Sequence, residues 1–221
     1  SGGLVGSEMC IRDRLGRITV DDVVDVIRDE AEDSVLNMAG LNKEDDIFAP
    51  IFQSTKRRTV WLGANLLTAI LAAAAIGIFE ATIEKVVALA ILMPIVASMG
   101  GIAGMQSLAL VIRSQATNQI GESNSRLLII KESLIGVLNG ILWSSIVAVA
   151  VYLWFDSVFL GTVIASALMI NLIIGAISGV SLPLILKKMD IDPALAGGVI
   201  LTTITDIVGF ISLLGVATII M

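Results

Sequence analysis

Five long apolar stretches dominate this chain, at about 59–79, 86–112, 133–155, 158–186 and 194–221. Each reaches the ~20 residues that an α-helix needs to cross a hydrocarbon layer. Lipid offers backbone N–H and C=O groups no hydrogen bonds, so such a segment must satisfy them internally, as a helix does. The rest of the composition agrees: 56% of the 221 residues are hydrophobic, and the mean hydropathy is +0.94. The expected fold class is an all-α membrane protein with five transmembrane helices per chain and a short cytoplasmic strand and helix before them. An odd number of spans excludes a simple pair of equal inverted halves within one chain.

Net charge is −6, and as an average it misleads. Before Thr59 there are twelve acidic and eight basic residues, and after it eight and six. The polar part is too short to bury a sizeable core of its own. Residues 1–14 lack periodicity and are set aside as an expression or sequencing remnant. No basic region followed by an apolar run marks a signal peptide. Residues 15–20 read as a turn and short strand, and 21–36 as a helix, with Val20, Val24, Ile27, Ala31 and Val35 on one stripe. Asp22, Asp25, Asp29 and Asp33 form another face, with Asp21, Glu30 and Glu32 nearby and Arg28 the sole base among them. Two readings stay open: a cation-holding face, since divalent ions take oxygen ligands, or a solvated helix whose first acids favour the positive dipole end. Gly40 reads as a helix stop. Residues 43–58 read as a short helix or linker, broken near Pro50 and ending in the boundary cluster Lys56-Arg57-Arg58.

Basic residues set an orientation. With the N-terminus in the cytoplasm, the inner side holds Lys56, Arg57, Arg58, Arg113, Arg126, Lys131, Lys187 and Lys188, against Lys85 alone outside. That places the C-terminus outside.

Within the spans, Asp206 stands out. Of the acidic residues after Arg58, it alone lies far from the end of an apolar run. An ionised carboxylate at that depth costs at least ~2.5–3.5 kcal/mol, and membrane carboxylates are functional by default. Helical spacing sets Gly198, Thr202, Asp206 and Gly209 on one face with Thr205 beside it, which reads as a cation-handling stripe. A structural fastening between helices is the alternative. Pro94 and the run Met99-Gly100-Gly101-Ile102-Ala103-Gly104 are expected to weaken the second span at depth, as in cavity-lining broken helices, or else to pack helices closely. Asn171, Gly175, Gly179 and Pro183 form a small-residue interface whose amide either bonds across helices or faces ions. Glu80 and Glu84 lie near the outer surface, where carboxylates attract cations.

Several classes are excluded or disfavoured. There is no basic tract for nucleic acid. There is no histidine, the commonest general base and transition-metal ligand. Cys10 is alone, so no internal disulfide or thiolate cage forms. An aspartyl protease needs two facing carboxylates. The expectation is a non-enzyme, with a proton-coupled carrier using Asp206 as a relay as the alternative to a cation channel.

The segments ITVDDVVDVIRDEAED, FEATIEKVVALAILMPIVASMGGIAGMQSLALVIR, KESLIGVLNG and DPALAGGVILTTITDIVGF together resemble the MgtE family of bacterial magnesium channels or transporters. The resemblance runs from about residue 15 to the end. It implies a homodimer in the cytoplasmic membrane, with five membrane helices per subunit and a pore on the two-fold axis. Mg²⁺ is then both substrate and regulatory ligand, and no other protein partner is implied. The family's pore carboxylate falls on Asp206, and the backbone carbonyl one turn earlier is that of Thr202. Its cytosolic magnesium-sensing carboxylates fall on Asp22, Asp25, Glu30 and Asp33, and one acidic partner of that sensor corresponds to Ser34. By this resemblance residues 15–36 are the last strand and helix of a paired CBS domain. Residues 37–58 are a linking helix that plugs the inner pore mouth when magnesium is abundant, and 59–221 the pore domain. Where some members carry asparagines in the glycine run, this chain has Ile102 and Met105.

Overall fold

A computed structural model describes residues 19–41, 48, 50–116 and 125–221. The described residues form helices and their connections: α1 Val20–Met38, α2 Ile51–Gly77, α3 Glu80–Lys85, α4 Ala88–Ala116, α5 Ser125–Phe155, α6 Val158–Lys188 and α7 Pro193–Ile220. Five of them, α2 and α4 to α7, are long and apolar enough to cross a membrane. At 1.5 Å per residue, the 31 residues of α5 and of α6 span roughly 46 Å, longer than a ~30 Å hydrocarbon layer.

The boundaries differ from expectation in four places, each for a local reason. Most of the short strand expected at 15–20 lies outside the described residues, and its last residue, Val20, is already helical. Thr19 caps α1 instead, its N–H and hydroxyl both donating to the Asp22 carboxylate, at 2.7 and 2.8 Å. The expected linker of 37–58 is not one element. Pro50 stands at the N-cap of α2, and 51–58 continue without a breaker into the first span, so the basic cluster lies in its second turn. Residues 42–47 and 49 of the proposed plug lie outside the described part. The second span runs unbroken through both Pro94 and the glycine run. The third begins at Ser125, not near 133, which draws Lys131 and Glu132 into the helix.

Helix α6 is the spine of the bundle, packing on α4, α5 and α7. It can do so because its interface is built of small residues. A Cβ at Gly175 would stand 2.6 Å from the Gly100 carbonyl oxygen, and one at Gly179 would strike that of Gly104. These two pairs, each spaced by four, bring the backbones of α4 and α6 into contact. Thus the glycine run is a packing surface. Leu89, Leu92 and Val96 of α4, Val151 of α5, Ile164 and Leu168 of α6, and Leu213 and Leu214 of α7 fill the main core. A second cluster joins Leu108 and Ile112 of α4 to Ala194 and Leu201 of α7.

Helix α7 is tied at both ends. The Asp192 carboxylate caps it, accepting from Ala194 N at 2.8 Å, and its other oxygen accepts from Asn37 of α1 at 2.9 Å. Near the far end the hydroxyls of Thr218 and Thr82 of α3 share a hydrogen bond of 2.7 Å. Among the other described spans, helix α2 leans chiefly on α7.

Candidate cation pathway

Asp206 sits at the centre of α7, 13 residues past Pro193, or roughly 20 Å along the helix. It is half-buried. Among the described residues no basic side chain pairs with it. It opens, with Thr202 one turn earlier, onto a wide groove of about 600 Å³ whose facing wall is α4, including Ser98, Gly101, Ile102, Met105 and Gln106. Carboxylate, amide and hydroxyl therefore line an otherwise apolar groove.

The stripe expected along α7 divides in two. Asp206, Thr202 and Gly198 face the groove side, Gly198 lying against Met105. Thr205 is fully buried toward Gly101 of α4, and Gly209 is buried beneath Asn171 and Val96. The hydroxyls satisfy themselves on their own helix: Thr202 Oγ1 donates to the carbonyls of Gly198 and Val199, both at 3.1 Å, and Thr205 Oγ1 donates to that of Thr202 at 3.0 Å. Back-bonding of this kind is the usual way such residues sit in apolar helices. The Thr202 carbonyl is thus already engaged by a hydroxyl.

Asn171 resolves toward the cross-helix reading. It is wholly buried, its Nδ2 donating to the Val96 carbonyl at 2.7 Å, and its amide lies over Gly100 and Gly209. Its Oδ1 has no hydrogen-bond partner among the described residues. Glu80 and Glu84 border a separate open cavity of about 550 Å³ at the α2–α3 turn.

On α1, Asp22 and Asp25 are exposed and Asp33 is partly so, while the Glu30 side chain lies outside the described part. The Thr19 backbone N–H, and then its hydroxyl, hold the Asp22 carboxyl below the ordinary carboxylate range. Among the described residues no three acidic or cysteine side chains are arranged to hold a metal. The described acids of that face, Asp22, Asp25 and Asp33, lie along α1.

One buried carboxylate escaped the sequence reading. Glu132 is only 7% exposed and accepts a hydrogen bond of 2.7 Å from Ser107 of α4. Its position just before the third apolar run made it look interfacial, but the early start of α5 places it two turns inside the helix. The KESLIGVLNG segment carried the signal, since a lone acid followed by glycines four apart marks a face that packs.

Comparison with known proteins decides the family. A model of the MgtE family, described as a divalent cation transporter, matches residues 93–216. The chain belongs to the MgtE family. It is 35% identical to the magnesium transporter MgtE of Bacillus subtilis over 204 residues, 92% of this chain and 45% of that protein. It is 30% identical to the one from Enterococcus faecalis over 207 residues (94% and 46%), and 30% identical to the one from Thermus thermophilus over 205 residues (92% and 45%). The chain spans less than half the length of these relatives. The MgtE match takes in α5, α6 and most of α4 and α7, so Asp206, Thr202, Asn171 and Glu132 fall within it. Helix α1, with Asp22, Asp25, Glu30 and Asp33, lies before it.

Proposed function

We infer that this chain forms the membrane part of a divalent cation transporter that carries Mg²⁺ into the cell, with the hydrated ion seated at Asp206 on the axis between two copies. The observation that carries this reading is the mid-span Asp206 carboxylate on an open groove, with no basic partner among the described residues. A second copy would close the groove and set two carboxylates on opposite sides of the passage.

The chemistry suits magnesium. Mg²⁺ dehydrates reluctantly and is usually held by one or two carboxylates with its waters retained. Two Asp206 side chains supply charge, while the Thr202 hydroxyl oxygen on the same side of α7 can accept a hydrogen bond from the water shell; the Thr202 and Gly198 carbonyls join it only when the hydroxyls bonded to them turn away. A site that binds through water releases its ion readily. With Lys56, Arg57 and Arg58 at the cytoplasmic side, Mg²⁺ moves inward down the membrane potential. At 100 mV a divalent ion gains about 4.6 kcal/mol, twice the unit-charge value. Transport of this kind needs no catalytic step.

The acidic row of α1 is the proposed regulatory face, with Asp22, Asp25, Glu30 and Asp33 binding cytosolic Mg²⁺. Helix α1 has a physical route to the pore through the Asn37–Asp192 hydrogen bond at the start of α7.

Growth rescue tests the pore assignment. In cells deficient in magnesium uptake, the wild-type chain is expected to restore growth at low Mg²⁺ and Asp206→Asn to fail at equal membrane abundance. Rescue by a well-expressed Asp206→Asn chain refutes the assignment, and uptake that follows a pH gradient without Mg²⁺ dependence points to a proton-coupled carrier.

A further inference from the structure

We propose that the space enclosed by α4, α5 and α6 is a second divalent-cation site, with the Glu132 carboxylate as its anion and the side-chain oxygens of Gln106, Ser107 and Asn139 around it. The proposal rests on the reading of the chain as a cation transporter and adds a station to it.

The space exists because of how the helices pack. Helices α4 and α5 both lie on α6 and scarcely touch each other. On one side Gly100 and Gly104 meet Gly175 and Gly179. On the other, a Cβ at Gly136 would stand 2.9 Å from that of Ala176. Both approaches are at backbone distance, so α4 and α5 splay apart beside α6. What remains is a cavity of about 130 Å³ lined by Gln106, Ser107, Glu132 and Asn139 together with apolar residues. Since one water occupies about 30 Å³, an ion with several of its waters fits there.

The charge in that cavity is unanswered. Glu132 is more than nine-tenths buried, and its hydrogen bond comes from the neutral Ser107 hydroxyl. No basic side chain among the described residues pairs with it. A carboxylate has about four acceptor positions, and one buried without a counter-charge is strongly unfavourable. A cation in the cavity answers both deficits. The surrounding donors are all hard oxygens from carboxylate, hydroxyl and amide, the set that selects Mg²⁺, Ca²⁺ or Mn²⁺ over thiophilic metals.

Gln106 connects this cavity to the pathway. It borders the Asp206 groove as well as the Glu132 cavity. The neutral Gln106 amide therefore stands between the two carboxylates. Spacing two anions by such a group lets an ion leave each site, which conduction requires.

The test counts bound Mn²⁺ by electron paramagnetic resonance on the purified full chain, in the wild type, Glu132→Gln, Ser107→Ala, Asp206→Asn and Asp206→Asn/Glu132→Gln. Glutamine keeps the size of Glu132 and an acceptor for the Ser107 hydroxyl, so the helices stay together. Glu132→Gln is expected to bind one Mn²⁺ fewer per chain. Ser107→Ala, which removes one of the oxygens around the site and keeps the carboxylate, is expected to bind this Mn²⁺ more weakly than the wild type. The double variant is expected to bind fewer than Asp206→Asn alone. Equal Mn²⁺ counts for the wild type and Glu132→Gln overturn the site and make Glu132 a protonated fastening. The pore assignment is judged separately, by Mg²⁺ uptake in Asp206→Asn.

Discussion

At the scale of single residues, three polar side chains in the bundle are solved in three different ways. Asp206 remains half-buried at the edge of an open groove. Glu132 is buried and takes a hydroxyl. Asn171 is buried completely and reaches across to a backbone carbonyl at 2.7 Å. Interhelical hydrogen bonds in membranes average about 0.6 kcal/mol and reach about 1.7. Asn171→Leu keeps the volume and removes the bond, so it is expected to lower stability by about 1 kcal/mol, on the scale of those measured bonds. A fall in the thermal unfolding midpoint of the detergent-solubilised chain reports this; an unchanged midpoint means the amide is not a fastening. Asp206 was legible from the sequence because a charge in the middle of an apolar run has one meaning, high cost. Glu132 was not, because its depth depended on where α5 begins. That start lies eight residues before the apolar run, in a charged stretch that hydropathy assigns to the loop.

At the scale of elements, the α4–α6 contact shows how glycines can be misread. In α4 they sit beside a proline, a pattern equally compatible with a broken helix. The helix is unbroken because α6 covers the glycines with its own, and the backbones meet where no side chain stands. Gly175→Ala places a methyl 2.6 Å from the Gly100 carbonyl oxygen, and overpacking of this kind is expected to cost about 1–3 kcal/mol. Gly63, on α2, has nothing within 4 Å of an added Cβ. There Gly63→Ala is expected to be neutral or stabilising, up to the roughly 1 kcal/mol of helix propensity. Unfolding midpoints of the two variants, compared with the wild type, check both; equal effects would mean that the close approach of α4 and α6 is not what holds the bundle. The stripe on α7 divides for a related reason. Residues 205 and 209 lie only part of a turn away from 206, yet α4 and α6 press on them and leave Asp206 outside.

At the scale of the whole molecule, α7 is the element that packs on the most others among the described helices. It touches α1, α2, α3, α4 and α6, and the Asp206 groove between α4 and α7 stays open on its far side. An ion passage walled by one chain on two sides needs another surface to complete it. If a second copy supplies that surface, Ile102→Cys on the groove wall, in a Cys10→Ser background, crosslinks chain to chain in native membranes with a bifunctional thiol reagent. Leu138→Cys, exposed on α5, is expected to remain monomeric on the same gel. Monomer alone from Ile102→Cys would place the groove against lipid and remove the basis for a shared pore.

Local chemistry was enough to fix the number of spans, the polar segment ahead of them and the depth of Asp206. Hydrocarbon imposes a length and a charge penalty that act on each segment separately, so composition within the segment reveals both. The choice of faces was not local. The membrane helices are apolar almost all round, and nothing in such a helix says which side meets a neighbour. The partners of Gly100 and Gly104, the burial of Thr205 away from Asp206, and the enclosure of Glu132 follow from which backbones approach closest, and close packing settles that only when all the helices are in place.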